Sequence, residues 1–168
     1  PHRACIAASS HASTSLQLHQ LAPSEFKYNR DVVLLHAKNI DLYLFCVYND
    51  TRSETLHQLT EFLSNNHHVS NKCLFVGDFN AHHELWEPSN AKRQDKAGRT
   101  LHDLIKTHNL HLHTPPDFHS FFPASNHASP TTIDLVFSSD PFLISKYAKF
   151  EPTLHQSHDH RPFEFVIS

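Results

Sequence analysis

The chain has 168 residues, 39% hydrophobic and 18% charged, which suffices for one hydrophobic core and not two, so a single domain over 1–168 is expected. Lys and Arg number 14 against 17 Asp and Glu, a formal charge of -3 with the 18 His neutral. This balance excludes coating of DNA by bulk positive charge; any nucleic-acid contact must be local and coexist with carboxylates, as where a divalent cation bridges protein and phosphate.

Cys5, Cys46 and Cys73 are odd in number with no close pair, which argues against a disulfide framework or a CxxC zinc site and for a reducing compartment. No apolar run approaches the ~18 residues that span a bilayer, and Pro1-His2-Arg3-Ala4 has no secretory pattern. These features predict an intracellular protein, nuclear or cytoplasmic, that does not engage a membrane. The chain contains no Met, as expected if an initiator was lost or if this is a piece of something longer.

In chain order, residues 7–30 read as a flexible loop region, rich in Ser, Ala and His over 7–15. Residues 31–36 (DVVLLH) and 40–48 (IDLYLFCVY) flank a turn-like Ala37-Lys38-Asn39 and predict an antiparallel hairpin. Thr51-Arg52-Ser53-Glu54 has capping-box spacing, and Leu56, Leu59, Phe62 and Leu63 then share a helical face up to Asn65-Asn66. Residues 73–76 read as a buried strand stopped by Gly77, and 96–108 as a second helix with Leu101, Leu104 and Ile105 inward. Strands are expected at 110–114, 132–137 and 162–167, in a half of the chain punctuated by prolines. The pattern predicts a mixed α/β domain with helices covering sheet faces.

Three stretches carry candidate chemistry. Asp78 and Asn80 stand two residues apart just beyond a strand, so in extended chain they point the same way. A carboxylate and an amide so placed can hold a nucleophilic water and hydrogen-bond a phosphate oxygen; DFN also reads as a strand-ending turn. Asp134 lies inside an otherwise apolar strand, where an unpaired carboxylate costs several kcal/mol, so a partner is required. His160 is a natural one, and Arg99 or Lys96 in a structural ion pair would be another. A carboxylate on one ring nitrogen fixes the tautomer and favours the imidazolium. His67-His68, His82-His83 and His158-x-His160 invite a zinc reading, but none has a recognised ligand spacing.

Taken together, GDFN at 77–80, TIDLVF at 132–137 and DHRPF at 159–163 resemble the endonuclease/exonuclease/phosphatase superfamily, which includes deoxyribonuclease I, apurinic endonucleases and the endonuclease domains of non-LTR retrotransposons. Asn80-Ala81-His82-His83-Glu84-Leu85-Trp86, with Gly98-Arg99 opening a Leu-patterned helix, is similar to the retrotransposon branch. The resemblance runs from about Asp31 to the C-terminus.

The resemblance implies a four-layer α/β sandwich of the deoxyribonuclease I-like type, with mixed, mostly antiparallel sheets. It implies metal-dependent phosphodiester hydrolysis, the nicking of DNA by a retroelement endonuclease, with Mg²⁺ or Mn²⁺ as cofactor and a reverse-transcriptase domain downstream in the parent polyprotein. Carried over residue by residue, Asp78 would position or deprotonate the attacking water and Asn80 would bind the phosphate. Asp134 would orient His160, which would stabilise the transition state. Asp159 would help hold the metal, and Tyr48, Asn80, His82 and Trp86 would contact substrate, Trp86 by stacking on a base or wedging into a groove.

Two departures stand out. Where the family has a serine before the Asp-His pair this chain has His158, with Ser157 one position earlier. Family members also begin with strands bearing an Asn and a metal-binding Glu, and nothing before Asp31 matches either. Arg3-Ala4-Cys5-Ile6-Ala7 looks like the strand that follows both, and Glu25 lies in a loop-like stretch. The expectation is therefore an N-terminally truncated domain, possessing an exposed sheet edge or apolar face near 40–48. Phosphomonoester or phospholipid hydrolysis on the same fold, and a catalytically dead nucleic-acid-binding remnant, are the alternatives.

Overall fold

The computed structural model describes residues 16–23, 30–124, 128–149 and 159–168. The expected strand at 3–7, Cys5, Glu25, Ser157 and His158 lie outside them. In chain order the elements are β1 (Leu18–Leu21), β2 (Val32–Ala37), β3 (Leu42–Tyr48), α1 (Thr55–Asn65), α2 (His67–Ser70), β4 (Cys73–Asp78), a 3₁₀ stretch (Pro88–Arg93), α3 (Lys96–Thr107), β5 (His111–Leu112), β6 (Asp134–Ser138), β7 (Ile144–Lys149) and β8 (Phe163–Ile167).

The alternation of Val32, Leu34, Phe45, Val47, Phe75, Leu135 and Phe137 puts one apolar row of the main sheet on a single face. There the row meets Leu56, Leu59, Phe62 and Leu63 of α1 and Leu101, Leu104 and Ile105 of α3. Phe45, Phe75 and Phe137 occupy successive register positions across β3, β4 and β6. Their rings stack at centroid distances of 4.3 and 4.8 Å, the kind of cross-strand aromatic contact that contributes about 0.5–1.5 kcal/mol beyond burial. The opposite face, with Leu42, Leu74 and Val136 buried, packs on Phe163, Phe165 and Ile167 of the second sheet.

The main sheet runs β1-β2-β3-β4-β6-β5, and β7 pairs with β8 in a separate two-stranded sheet. The β3–β4 pair is parallel and the others are antiparallel. Helix α1 makes the crossover that a parallel pair demands. Helices, main sheet and second sheet are three of the four expected layers.

Several local expectations are corrected. Glu54 caps α1 without any side-chain hydrogen bond. Asp50 organises the turn instead, receiving the Arg52 backbone N–H, the Arg52 guanidinium and, at its carbonyl, the Ser53 hydroxyl. In α3, by contrast, Asp95 accepts from Gly98 N at 2.6 Å and caps the helix. Strand β1 falls inside the stretch expected as loop, and β7 was not foreseen. The strand at 40–48 is not an edge: β3 lies between β2 and β4, and β1 and β5 are the edges of the described sheet.

Gly77 does not end its strand, which continues to Asp78. Its φ is +154°, and a Cβ there would meet the Val47 carbonyl oxygen at 1.8 Å. The glycine thus lets β4 approach β3 where Val47 and Gly77 pair. Gly77→Ala is expected to lower stability by about 3 kcal/mol, a fall in Tm of roughly 6–12 °C by thermal melting; an unchanged Tm would show that the ladder can open there freely.

Candidate active site

The parallel β3–β4 and antiparallel β4–β6 registers bring three residues into one row: Tyr48 pairs with Asp78, and Asp78 with Asp134. The row lies on the face covered by the second sheet. Like charges directly opposite on a ladder repel, and the structure answers with an imidazole. His160 Nδ1 is 2.9 Å from Asp134 Oδ2, and its Nε2 is 3.9 Å from Asp78 Oδ2. Asp134 therefore has the partner its strand requires, and it is neither Arg99 nor Lys96.

Burial, then the neighbouring Asp134 charge, pushes the Asp78 carboxyl up to about 6. The hydrogen bond to Asp134 raises His160 above its ordinary value against the opposing effect of burial. Asp134 contributes to both shifts, by its charge on Asp78 and by its hydrogen bond to His160.

Each side chain is held by its own element. Asp78 Oδ1 accepts from Asn80 N at 2.9 Å, closing a turn that leaves Asn80 at φ +44°, a conformation that Asn tolerates better than most residues. DFN is thus a strand-ending turn, with Asp78 the last residue of β4 and Asn80 folded back on it. The Asn80 amide nitrogen donates to Asp78 Oδ2 at 3.2 Å and to the Asn49 carbonyl at 3.1 Å. Asn49, which sequence reasoning missed, is 2% exposed and ties the strand ends: its side chain donates to Phe79 O and its backbone N to Asp78 O, both at 2.8 Å. Nothing in its local sequence separates it from an ordinary turn residue.

Ser120 was also missed. Its hydroxyl accepts from Asp134 N at 3.1 Å, and its carbonyl accepts from Arg161 N at 2.7 Å. The Phe121 ring meets His160 edge-on at 4.9 Å, and Phe122 N donates to Asp159 O at 2.7 Å. The segment 120–122 thereby pins both partners of the Asp134–His160 pair.

Other expected site residues are placed differently. Trp86 is fully buried, with Nε1 donating to Ala81 O at 3.0 Å, so it has no face to offer a base and is a core residue. His82 Nδ1 is 2.8 Å from Glu87 Oε2, and Glu87, 2% exposed, accepts from Thr132 N at 2.8 Å through Oε1. His82 and Glu87 brace the strand that leads to Asp134. Asp159 is exposed and accepts from His160 N at 3.1 Å. Its carboxylate is outside the one candidate metal cluster among the described residues, Asp78, Asp134 and His160, whose ligand atoms lie within 4.8 Å of one another. Tyr48 is half-buried beside Asp78.

The cluster suits a hard divalent cation only in part. Asp78 and Asp134 supply carboxylate oxygens, while His160 Nδ1 is already engaged. Mg²⁺ is commonly held in this way, by one or two carboxylates with water and substrate phosphate completing the shell. The raised Asp78 carboxyl marks a place short of positive charge.

A two-faced α/β sandwich with an acid–imidazole–acid row at its strand ends defines a protein built like deoxyribonuclease I. The sequence profile of the family described as "Endonuclease-reverse transcriptase" matches residues 42–164, and the chain belongs to that family, within the endonuclease/exonuclease/phosphatase superfamily. Among solved structures it is similar to the endonuclease domain of TRAS1, a telomere-specific non-LTR retrotransposon, at 19% identity and TM-score 0.70, covering 90% of this chain and 69% of that one. It is similar to the 3′ phosphatase NExo from Neisseria bound to a product DNA hairpin, at 15% identity and TM-score 0.67, covering 90% and 70%. The apurinic endonuclease LMAP from Leishmania major aligns at 12% identity and TM-score 0.65, covering 93% and 62%. No curated protein sequence matches significantly.

Two measurements test this geometry. In the fold Asp78 keeps its proton up to about pH 6, whereas the unfolded chain releases it near the ordinary 3.8. Stability from this group is therefore present at acid pH and falls as pH rises through that window. In metal-free buffer, Asp78→Asn should gain on the wild type by about 1–3 kcal/mol between pH 4 and 7, and a gap independent of pH would show that the carboxyl is not so confined. Trp86→Phe should lower Tm and leave the DNA affinity of the folded protein unchanged; a selective loss of affinity would return Trp86 to the substrate.

Proposed function

We propose that this chain is a metal-dependent phosphodiester hydrolase, the DNA-nicking endonuclease of a retroelement, with Asp78, Asn80, Asp134 and His160 as its reacting and orienting groups. The observation that carries the reading is the single imidazole fixed by Asp134 through Nδ1 with Nε2 turned towards Asp78. A phosphodiester resists attack through its own negative charge, so a catalyst must place positive charge where more negative charge accumulates. His160 is biased towards its charged form and meets that need from one side.

Asp78, its orientation kept by Asn80, takes the proton of an attacking water. As the water oxygen bonds to phosphorus, the bond to the sugar oxygen breaks with its electron pair departing on that oxygen, which takes a proton from solvent, while His160 Nε2 hydrogen-bonds a non-bridging oxygen. Contact between Asn80 and the phosphate takes one amide hydrogen away from the Asn49 carbonyl. Tyr48, in the same row, is placed to touch the phosphate. Asp78 and Asp134 would hold Mg²⁺ or Mn²⁺, with Asp159 in the lining of the adjoining cavity. When bound, the ion neutralises phosphate charge and polarises the water.

DNA is the proposed substrate, and a reverse-transcriptase segment of a parent polyprotein the proposed neighbour. No helix among the described residues is long and apolar enough to cross a membrane.

Supercoiled plasmid incubated with Mg²⁺ or Mn²⁺ should be relaxed by the wild type and untouched after chelation. Asp78→Ala and His160→Ala should each slow nicking by about 10²–10⁴-fold, and Asp134→Asn by about 10–100-fold. Full activity in both alanine variants would overturn the assignment. Turnover of a 3′-phosphorylated hairpin or a phospholipid with plasmid left intact would move it to phosphomonoester or phospholipid hydrolysis. DNA binding without turnover or metal response would indicate a binding remnant.

A further inference from the structure

Next to the acid–imidazole row lies a cavity of about 640 Å³ lined by Asp134, Asp159, His160, Arg161, Phe163 and Phe165, among others, within the range of ligand-binding clefts. Its carboxylates repel a polyanion, and Arg161 is the one Lys or Arg side chain in its lining. The guanidinium carbon stands 3.5 Å from the centroid of the Phe122 ring, and among the described residues no carboxylate is paired with it. Arg161 N donates to Ser120 O, and Phe122 N donates to Asp159 O, each at 2.7 Å. The two backbone bonds pair the segments that carry the ring and the guanidinium, beside the Phe121–His160 contact.

A guanidinium lying on an aromatic face keeps its edge N–H groups free for an oxyanion, and stacking limits the rotamers it must lose on binding. Half-buried, Arg161 lines the same cavity as His160 and Asp134, which is where a second phosphate of the strand held at the imidazole would meet it. We propose that Arg161, held by Phe122, is a phosphate-binding residue that clamps the backbone phosphate next to the scissile one and so selects a polynucleotide over an isolated phosphate ester. This inference rests on the nuclease reading above and specifies how the same site takes hold of its substrate.

The test is the salt dependence of binding of a duplex oligonucleotide, measured by fluorescence anisotropy in Ca²⁺ with the whole chain, alongside plasmid nicking in Mg²⁺. Loss of one phosphate contact reduces the slope of log K against log salt by about 0.9. Arg161→Ala is expected to show that reduction and to weaken binding at low salt. Arg161→Lys should keep the slope, because the charge remains, while raising the KM for plasmid and leaving kcat nearly unchanged. Phe122→Leu should weaken binding with the slope retained. Thermal melts establish that each variant is folded, and Arg161→Gln substitutes for the alanine if that variant unfolds. A wild type that nicks plasmid while the folded Arg161→Ala or Arg161→Gln keeps the full slope overturns this inference alone. A wild type that neither binds nor nicks DNA overturns it together with the nuclease reading.

Discussion

Two carboxylates facing each other across an antiparallel ladder are an unfavourable arrangement, and the structure is organised around holding them there. Asp78 and Asp134 are register partners on neighbouring strands, where water has limited access and their repulsion is poorly screened. His160 interposes a ring whose two nitrogens address the two acids. The Asp78 carboxyl is nevertheless raised, by burial first and then by the Asp134 charge.

Keeping like charges opposed requires a scaffold that cannot relax away from them. The parallel β3–β4 pair, brought close by the missing Cβ of Gly77, fixes one strand. The row of Phe45, Phe75 and Phe137 on the other face locks all three strands in register. A slip of one residue would turn the aromatic row to the wrong side and the acids into the helical core. The same register thus sets core and site, which occupy opposite faces of the same strands.

The parts that do not touch the reacting groups set their direction. Asn49 and Asn80 close the ends of β3 and β4. The buried Glu87 reaches Thr132, two residues before Asp134, with His82 on its other oxygen. The 120–122 segment fixes Asp134 by a hydroxyl and His160 by a ring edge. Orientation to a fraction of an ångström comes from such supporting bonds more than from the reacting side chains. Trp86 belongs to this support, and its burial explains why a residue so suited to stacking on a base is withheld from one.

What the sequence determined by itself is what short-range physics encodes. The hairpin at β2–β3 and the amphipathic faces of α1 and α3 follow from periodicity and local chemistry, and the lone acid in the apolar run at 132–137 announced that Asp134 needs a partner. The capping box at residues 51–54 misled because Asp50, just upstream, organises residues 50–53 as a turn and the helix starts only after Glu54. Only the tertiary structure decided that the partner is His160, 26 positions away, and that His82 and Trp86 face inward. It alone revealed the roles of Asn49, Ser120 and Glu87, and it alone set Arg161 on the Phe122 ring. Each of those outcomes depends on strand register and on loops docking from distant points in the chain, and a local pattern of residue types carries no record of either.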